Sequence, residues 1–275
     1  RLARRLCDAH RGLDDGSLLA LVSGSTVDGT ADERSDVDMS IVFAELPAPA
    51  ELQAACTRAG ATPWFWTGGQ WEEQAVVVAF RIDGTEVQIG YSTHAALADQ
   101  IDELLLRHNP DTPLHKLGEG LLKAEPLYGH ARLQALQQRL AAFPDGLALA
   151  MARHFAATAV PWKAMAQIVH RDAPLWCREL QVQAAYRLLG LLAAVNRRYY
   201  TTFQNKRLHR LAASYDRAPA AFADRLEQLL QLPPTAAAEA LFALEGEVLQ
   251  IVGEAFPGLD LEALQRARQG FVTSR

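Results

Sequence analysis

The sequence predicts an α+β protein in which a mixed-sheet N-terminal domain, residues 1–130, is followed by a C-terminal helical bundle, residues 131–275. Three observations predict it. Leu19 to Phe43 reads as a strand, a tight turn at Gly24-Ser25, a loop and a second strand. Ala75 to Ile82 and Thr85 to Tyr91 are rich in β-formers and are joined by Asp83-Gly84, a strong hairpin signal. From His130 onward apolar residues recur at helical spacing and strand patterns vanish.

Taken in order, Arg1 to Leu13 carries Leu2, Leu6 and Ala9 among basic residues, a short helix that Asp14-Asp15-Gly16 ends. Leu18 to Val22 is the first strand. Ser25 to Ala31 opens a short helix at the turn, and Asp36 to Phe43 is the second strand. Pro47 and Pro49 break the chain before a crossover helix over Ala50 to Ala59, stopped by Gly60. Trp64-Phe65-Trp66, running into Thr67-Gly68-Gly69, is read as core packing ahead of a flexible turn in preference to a wall for a base or sugar. Ser92-Thr93 caps a helix over Ala95 to Arg107, with His94 on its surface, and a shorter helix covers Leu114 to Leu122. In the second domain helices are expected over 131–142, 147–170 with a break or kink at Pro161, 177–195, 207–214, 219–230, 235–256 and 260–271, packed as an antiparallel bundle.

At 275 residues and 49% hydrophobic content the chain can bury a full core and divides naturally into two domains. No apolar run is long enough to span a bilayer, and Arg1-Leu2-Ala3-Arg4-Arg5-Leu6 lacks the apolar core of a signal peptide. A cytoplasmic protein with no membrane partner is therefore expected. Cys7, Cys56 and Cys177 are odd in number and lack metal-ligand spacing, which points to buried thiols in a reducing compartment and away from a zinc or disulfide framework. Charge is uneven. Residues 1–130 carry 10 Lys and Arg against 20 Asp and Glu, whereas the remainder carries 17 against 12. The asymmetry suits an acidic domain that holds a cation and a basic one that meets a polyphosphate, and equally two ordinary solvated surfaces.

The chemistry concentrates between Gly24 and Asp38. Successive strand residues point to opposite faces, so Asp36 and Asp38 share one face while Val37 and Met39 take the other. Two adjacent carboxylates repel unless a cation lies between them, and ligands that are all oxygen suit Mg²⁺. Gly24 lets the backbone approach a phosphate closely, and the Ser25 hydroxyl can donate to a phosphate oxygen. These residues predict a metal–nucleotide site.

Gly-Ser, about ten residues, then Asp-hydrophobic-Asp at a strand start resembles the signature of the DNA polymerase β-like nucleotidyltransferases, in particular small bacterial members such as the aminoglycoside adenylyltransferases. Gly24, Ser25, Gly29, Ser35, Asp36 and Asp38 stand where that pattern has them. The motif covers about a tenth of the chain. The resemblance implies a polymerase β-like fold for the N-terminal domain, with Ala124 to Gly129 as its closing strand and turn. It implies two Mg²⁺ ions, ATP as the donor, and a helical domain forming the far wall of the substrate cleft.

It also implies a third carboxylate on the strand Thr85-Glu86-Val87-Gln88-Ile89, as metal ligand or general base. Two alignments are possible: Glu86 keeps the acid, whereas Gln88 replaces it with an amide that cannot take a proton. Glu86 is favoured, as a similar Glu-Val-Thr-Ile segment occurs in streptomycin-type members. Catalytic and metal roles are accordingly expected at Asp36, Asp38 and Glu86, and nucleotide contacts at Gly24, Ser25 and Ser35. In the helical domain Asn196 to Arg210 holds five Lys or Arg, three aromatics and no acid. Lys206 or Arg210 is expected to neutralise the triphosphate while a tyrosine packs on substrate.

The function expected is Mg²⁺-dependent transfer of AMP from ATP to a hydroxyl of a small, aminoglycoside-like acceptor. Relatives implied by the resemblance also modify protein side chains or tRNA ends. A non-catalytic module that keeps the fold to bind a nucleotide or a partner such as a toxin is the reading from another class. Nucleic acid is not favoured as a partner, and oligomeric state is not legible.

Overall fold

The computed structural model describes residues 1–14, 16–157 and 159–272. Contacts divide the chain into two compact units, one formed by Arg1–Arg107 with Leu117–Ala142, the other by His108–Lys116 with the chain from Phe143 on. The architecture is α+β: a six-stranded mixed sheet in the first unit, helices in the second.

The first unit begins with α1 (Leu2–His10), then β1 (Leu19–Ser23), α2 (Ser25–Asp28), β2 (Val37–Phe43), α3 (Pro49–Arg58), β3 (Trp66–Gln70), β4 (Ala75–Ile82), β5 (Thr85–Thr93), α4 (His94–Leu105), α5 (Thr112–Lys123), β6 (Glu125–Tyr128) and α6 (His130–Ala141). The first turn of α5 belongs to the second unit. Sheet order is β3-β4-β5-β2-β1-β6, antiparallel except for the central β2–β5 pair. The β4–β5 hairpin turns on Asp83 and Gly84, both at positive φ, which matches strand twist in a two-residue loop.

Alternation sorts the strands into two faces. Ala20, Met39, Ile41, Phe43, Val78, Phe80, Val87, Ile89 and Tyr91 point to one face and pack with Leu6 and Cys7 of α1 and Leu52 and Cys56 of α3. Within that core the His10 imidazole donates from Nδ1 to the Leu6 carbonyl at 2.7 Å and accepts the Tyr91 hydroxyl at Nε2, 2.9 Å away. Burial pushes the His10 pKa down, in keeping with a neutral ring. The three cysteines are buried free thiols.

Some expectations need correction. The Trp64-Phe65-Trp66 cluster is core packing only at Trp64; Phe65, just before the edge strand β3, and Trp66, its first residue, are 55% and 51% exposed. That strand runs through Gly68 and Gly69, which lack β-propensity, so only its pairing with β4 creates it. His94 is half-buried, and its Nε2 lies 2.9 Å from the Ser17 carbonyl.

The second unit contains α7 (Asp145–Ala156), α8 (Trp162–Ile168), α9 (Pro174–Val195), a 3-10 segment (Thr202–Arg207), α10 (Leu208–Ala213), α11 (Phe222–Leu229), α12 (Pro234–Ala255) and α13 (Glu262–Val272). The stretch 147–170 is therefore two helices, with Pro161 capping the second. Helix α9 is central: α7 and α12 pack along it, and it is buried continuously from Arg187 to Val195. A Cβ at Gly190 would collide with the Phe155 ring of α7, so the missing side chain sets how closely those helices approach. Prolines at Pro174 and Pro234 start the two longest helices, where a missing N–H is harmless.

Candidate active site

Burial along β2 rises from its half-exposed first residues to the fully buried Ile41-Val42-Phe43. Asp36 and Asp38 thus sit at the solvent-reached end of a strand whose other end is locked in the core. The antiparallel β1–β2 register sets Ser23 opposite Asp38, which delivers the chain to the turn beside that carboxylate. Gly24 then adopts φ +69° and ψ −153°, a conformation only glycine takes without strain. A Cβ here would overlap Asp38 Oδ2 and lie 3.1 Å from its Cγ. The Asp38 carboxylate occupies the space that any larger residue would need.

Parallel pairing of β2 with β5 sets Val37 level with Val87 and Asp38 level with Gln88. The Gln88 amide donates to Asp36 Oδ2 at 3.0 Å. Glu86 lies one alternation before Gln88 on the same face, opposite Arg81 of β4. Gly24, Asp36, Asp38 and Gln88 are therefore brought together, with Glu86 next along the strand. Among the described residues no group of three or more His, Cys, Asp or Glu side chains has metal-holding geometry. Mg²⁺ is commonly held by one or two carboxylates together with substrate phosphates, so an Asp36–Asp38 pair remains compatible with the ion.

Ser25 opens α2 and is half-buried; its carbonyl accepts the Thr30 N–H at 3.1 Å. Gly29, in the left-handed region, ends that single turn. Ser35 shapes the loop: its hydroxyl donates to Asp32 Oδ1 at 3.1 Å and accepts the Asp32 N–H at 2.9 Å. Lys123 of α5 comes within 3.8 Å of Asp28 at the end of α2, a cation that no local pattern announced.

In the second unit Lys206 is exposed, with Nζ 5.9 Å from the Phe203 ring centroid; Lys116 approaches the same ring to 4.4 Å. Arg210 is exposed on α10. The tyrosines of this stretch do not face outward as the substrate-packing reading requires. Tyr199 and Tyr200 are each 4% exposed, and Phe203, at 55%, is the aromatic that reaches solvent. Arg197, at φ +50°, follows the Asn196 cap of α9.

His115 is buried against Tyr199 and accepts the Tyr200 N–H at Nδ1, 3.4 Å away. Burial, reinforced by nearby His154 and opposed by Asp111, lowers its pKa to about 4. A histidine depressed in the folded state stabilises fully above its unfolded pKa, ~6.5, and loses that contribution as pH falls through about 4. The expected loss is about 2 kcal/mol by pH 5 and about 3 kcal/mol by pH 4. Denaturant unfolding of wild type and His115→Gln at pH 7 and pH 4.5 measures it: the variant should lose less stability on acidification. Parallel losses would contradict a buried neutral imidazole.

No known protein family matches the sequence, and no curated protein is found similar to it. Among solved structures, the chain is similar to a nucleotidyltransferase-like protein from Exiguobacterium sibiricum, with 13% identity, 90% of this chain and 77% of that one covered, and a TM-score of 0.41. A likeness this remote carries no functional weight.

Proposed function

We propose that the protein transfers a nucleotidyl group, AMP from ATP, to a hydroxyl of a small-molecule acceptor. One observation carries the reading: the Asp38 carboxylate fills the space left by the absent Gly24 side chain, and Asp36 accepts the amide of Gln88, the residue level with Asp38. Two acids and a bare backbone converge on one turn. That arrangement suits a cation that would bridge the carboxylates to a phosphate chain.

In this reading Asp36 and Asp38 hold Mg²⁺, which when bound supplies positive charge against the phosphates. Gly24 admits the triphosphate close to the backbone, and Ser25 donates its hydroxyl to a phosphate oxygen. Of Glu86 and Gln88 on β5, only Glu86 can take a proton. It accepts the proton of the acceptor hydroxyl as that oxygen attacks the α-phosphorus; the bond from the α-phosphorus to the bridging oxygen breaks, and pyrophosphate leaves in line. Lys206 and Arg210 are proposed to neutralise the triphosphate, a role that rests on the charge of their stretch.

A non-hydrolysable ATP analogue with Mg²⁺ should raise the melting temperature progressively with its concentration, and more than either component alone. Lys206→Ala should weaken triphosphate binding more than monophosphate binding; equal losses return Lys206 to an ordinary surface role. No thermal response would sink the nucleotide site altogether. The amide of Gln88 at Asp36 favours one second reading, a nucleotide-binding module without catalysis. A thermal response with no labelled transfer to a panel of hydroxyl acceptors would select it.

A further inference from the structure

Trp66 shares a sheet face with the candidate site. Strand pairing sets it level with Ala79 of β4, Ala79 level with Gln88 of β5, and Gln88 level with Asp38 of β2. Residues level on adjacent strands project from one face, so Trp66 and Asp38 stand at the two ends of a single row. Two residues further along each strand the same face carries Gly68, Val77, Gly90 and Ser40. The floor between indole and carboxylate is thus made mostly of small residues, and the core built with α1 and α3 lies against the opposite face.

The indole is half exposed, yet its position is defined. A Cβ at Gly68 would lie 2.5 Å from its Cη2 and 2.7 Å from its Cζ2, so the outer edge of the ring rests over that bare glycine. The ring is supported from below and open to solvent.

We infer, on the basis of the proposed transfer, that Trp66 is the platform for the acceptor, a compound of two or more linked rings lying across β5, β4 and β3 with one flat ring face on the indole. The leaving group sets the side. Gly24 and Ser25 follow β1, so the phosphates they hold lie on the β1 side of Asp38. In-line displacement brings the attacking oxygen from the opposite side of the phosphorus, over β5, where Glu86 stands. Reach sets the size. Two strand spacings separate β5 from β3, about 10 Å, more than one six-membered ring spans. An indole takes an aryl ring or the C–H face of a sugar ring equally well, so the flat face is the shared requirement. Trp66 is a positioning residue in this arrangement, and every residue of the platform belongs to the first unit.

Fluorine NMR of protein labelled with 5-fluorotryptophan tests it on the whole chain. Five tryptophans give the signals, and Trp66→Phe assigns the one from Trp66. The probes are cellobiose and phenyl β-glucoside, each of two linked rings, and methyl β-glucoside, a single ring. Without nucleotide, at least one two-ring probe should shift Trp66 saturably, with affinity about tenfold or more above that of methyl β-glucoside. Trp176, of similar exposure in the second unit, should not move. Response to both two-ring probes marks a sugar-binding face, and response to phenyl β-glucoside alone an aryl-binding one. By calorimetry Trp66→Ala should weaken the bound probe about tenfold, and Trp66→Phe should keep most of the affinity. Binding should persist with Mg²⁺ and a non-hydrolysable ATP analogue present, because donor and acceptor take opposite sides of Asp38. No Trp66 shift from either two-ring probe, an equal response to methyl β-glucoside, an equal shift at Trp176, unchanged affinity in Trp66→Ala, or competition with the ATP analogue would each overturn the platform. Loss of the ATP analogue's own thermal response would instead overturn the nucleotide site, so the two failures are distinct.

Discussion

Asp36→Asn and Asp38→Asn should each abolish nucleotidyl transfer, a loss of at least about 10²–10³-fold, while leaving the fold intact. The substitutions preserve shape. An asparagine at 38 still fills the space beside Gly24, and one at 36 still offers an oxygen to the Gln88 amide. What each removes is one negative charge and one strong oxygen ligand. Without metal, stability should be equal or slightly higher, because two acids on one strand face no longer repel. With Mg²⁺ and nucleotide present, the variants should show less of the thermal response. Separating the two readouts matters: a variant that loses activity and melts early has lost structure, whereas one that loses activity alone has lost charge. Near-normal turnover in either variant would remove the carboxylate pair from the chemistry and with it the proposed function.

Local patterns made much of the first unit legible. Asp83-Gly84 announced the β4–β5 hairpin because only residues tolerant of positive φ close so short a loop. Alternation predicted Asp36 and Asp38 on one face; β2 begins one residue late, at Val37, with Asp38 level with Gln88 and Asp36, just before the strand, accepting the Gln88 amide. Non-local pairing was not legible. β2 and β5 are separated by two strands and a helix, so no local signal says whether Glu86 or Gln88 lies level with Asp38; the parallel register decides it. Trp66 reads as a core residue until β3 proves to be an edge strand. In the helical unit Tyr199, Tyr200 and Phe203 look alike in sequence, yet the first two are buried and the third lies outside. Glu245 reads as an ordinary helix acid, and nothing near it in sequence announces the arginines and tryptophan that other helices bring to it.

Glu86→Gln should leave nucleotide affinity within a few-fold of normal and cut turnover by about 10²-fold or more. Both halves follow from what each side chain can do. In the proposed site Asp36 and Asp38 would remain to hold the cation, so binding should persist. A base must accept the proton of the acceptor hydroxyl; a carboxylate does so and an amide does not. Gln88 supplies the control. It is already an amide, and its contact is a donated hydrogen bond to Asp36, so Gln88→Ala should loosen that carboxylate without removing a proton acceptor. Its effect on turnover and affinity should be mild. Gln88→Glu adds the stricter comparison: a third acid level with Asp38 would raise repulsion without metal and lower thermal stability, then recover part of the loss on adding Mg²⁺. If Glu86→Gln proves harmless, the site has two carboxylates and no base on this strand. Catalysis would then depend on a proton acceptor elsewhere or on the substrate itself, and the non-catalytic nucleotide-binding reading would displace the transferase.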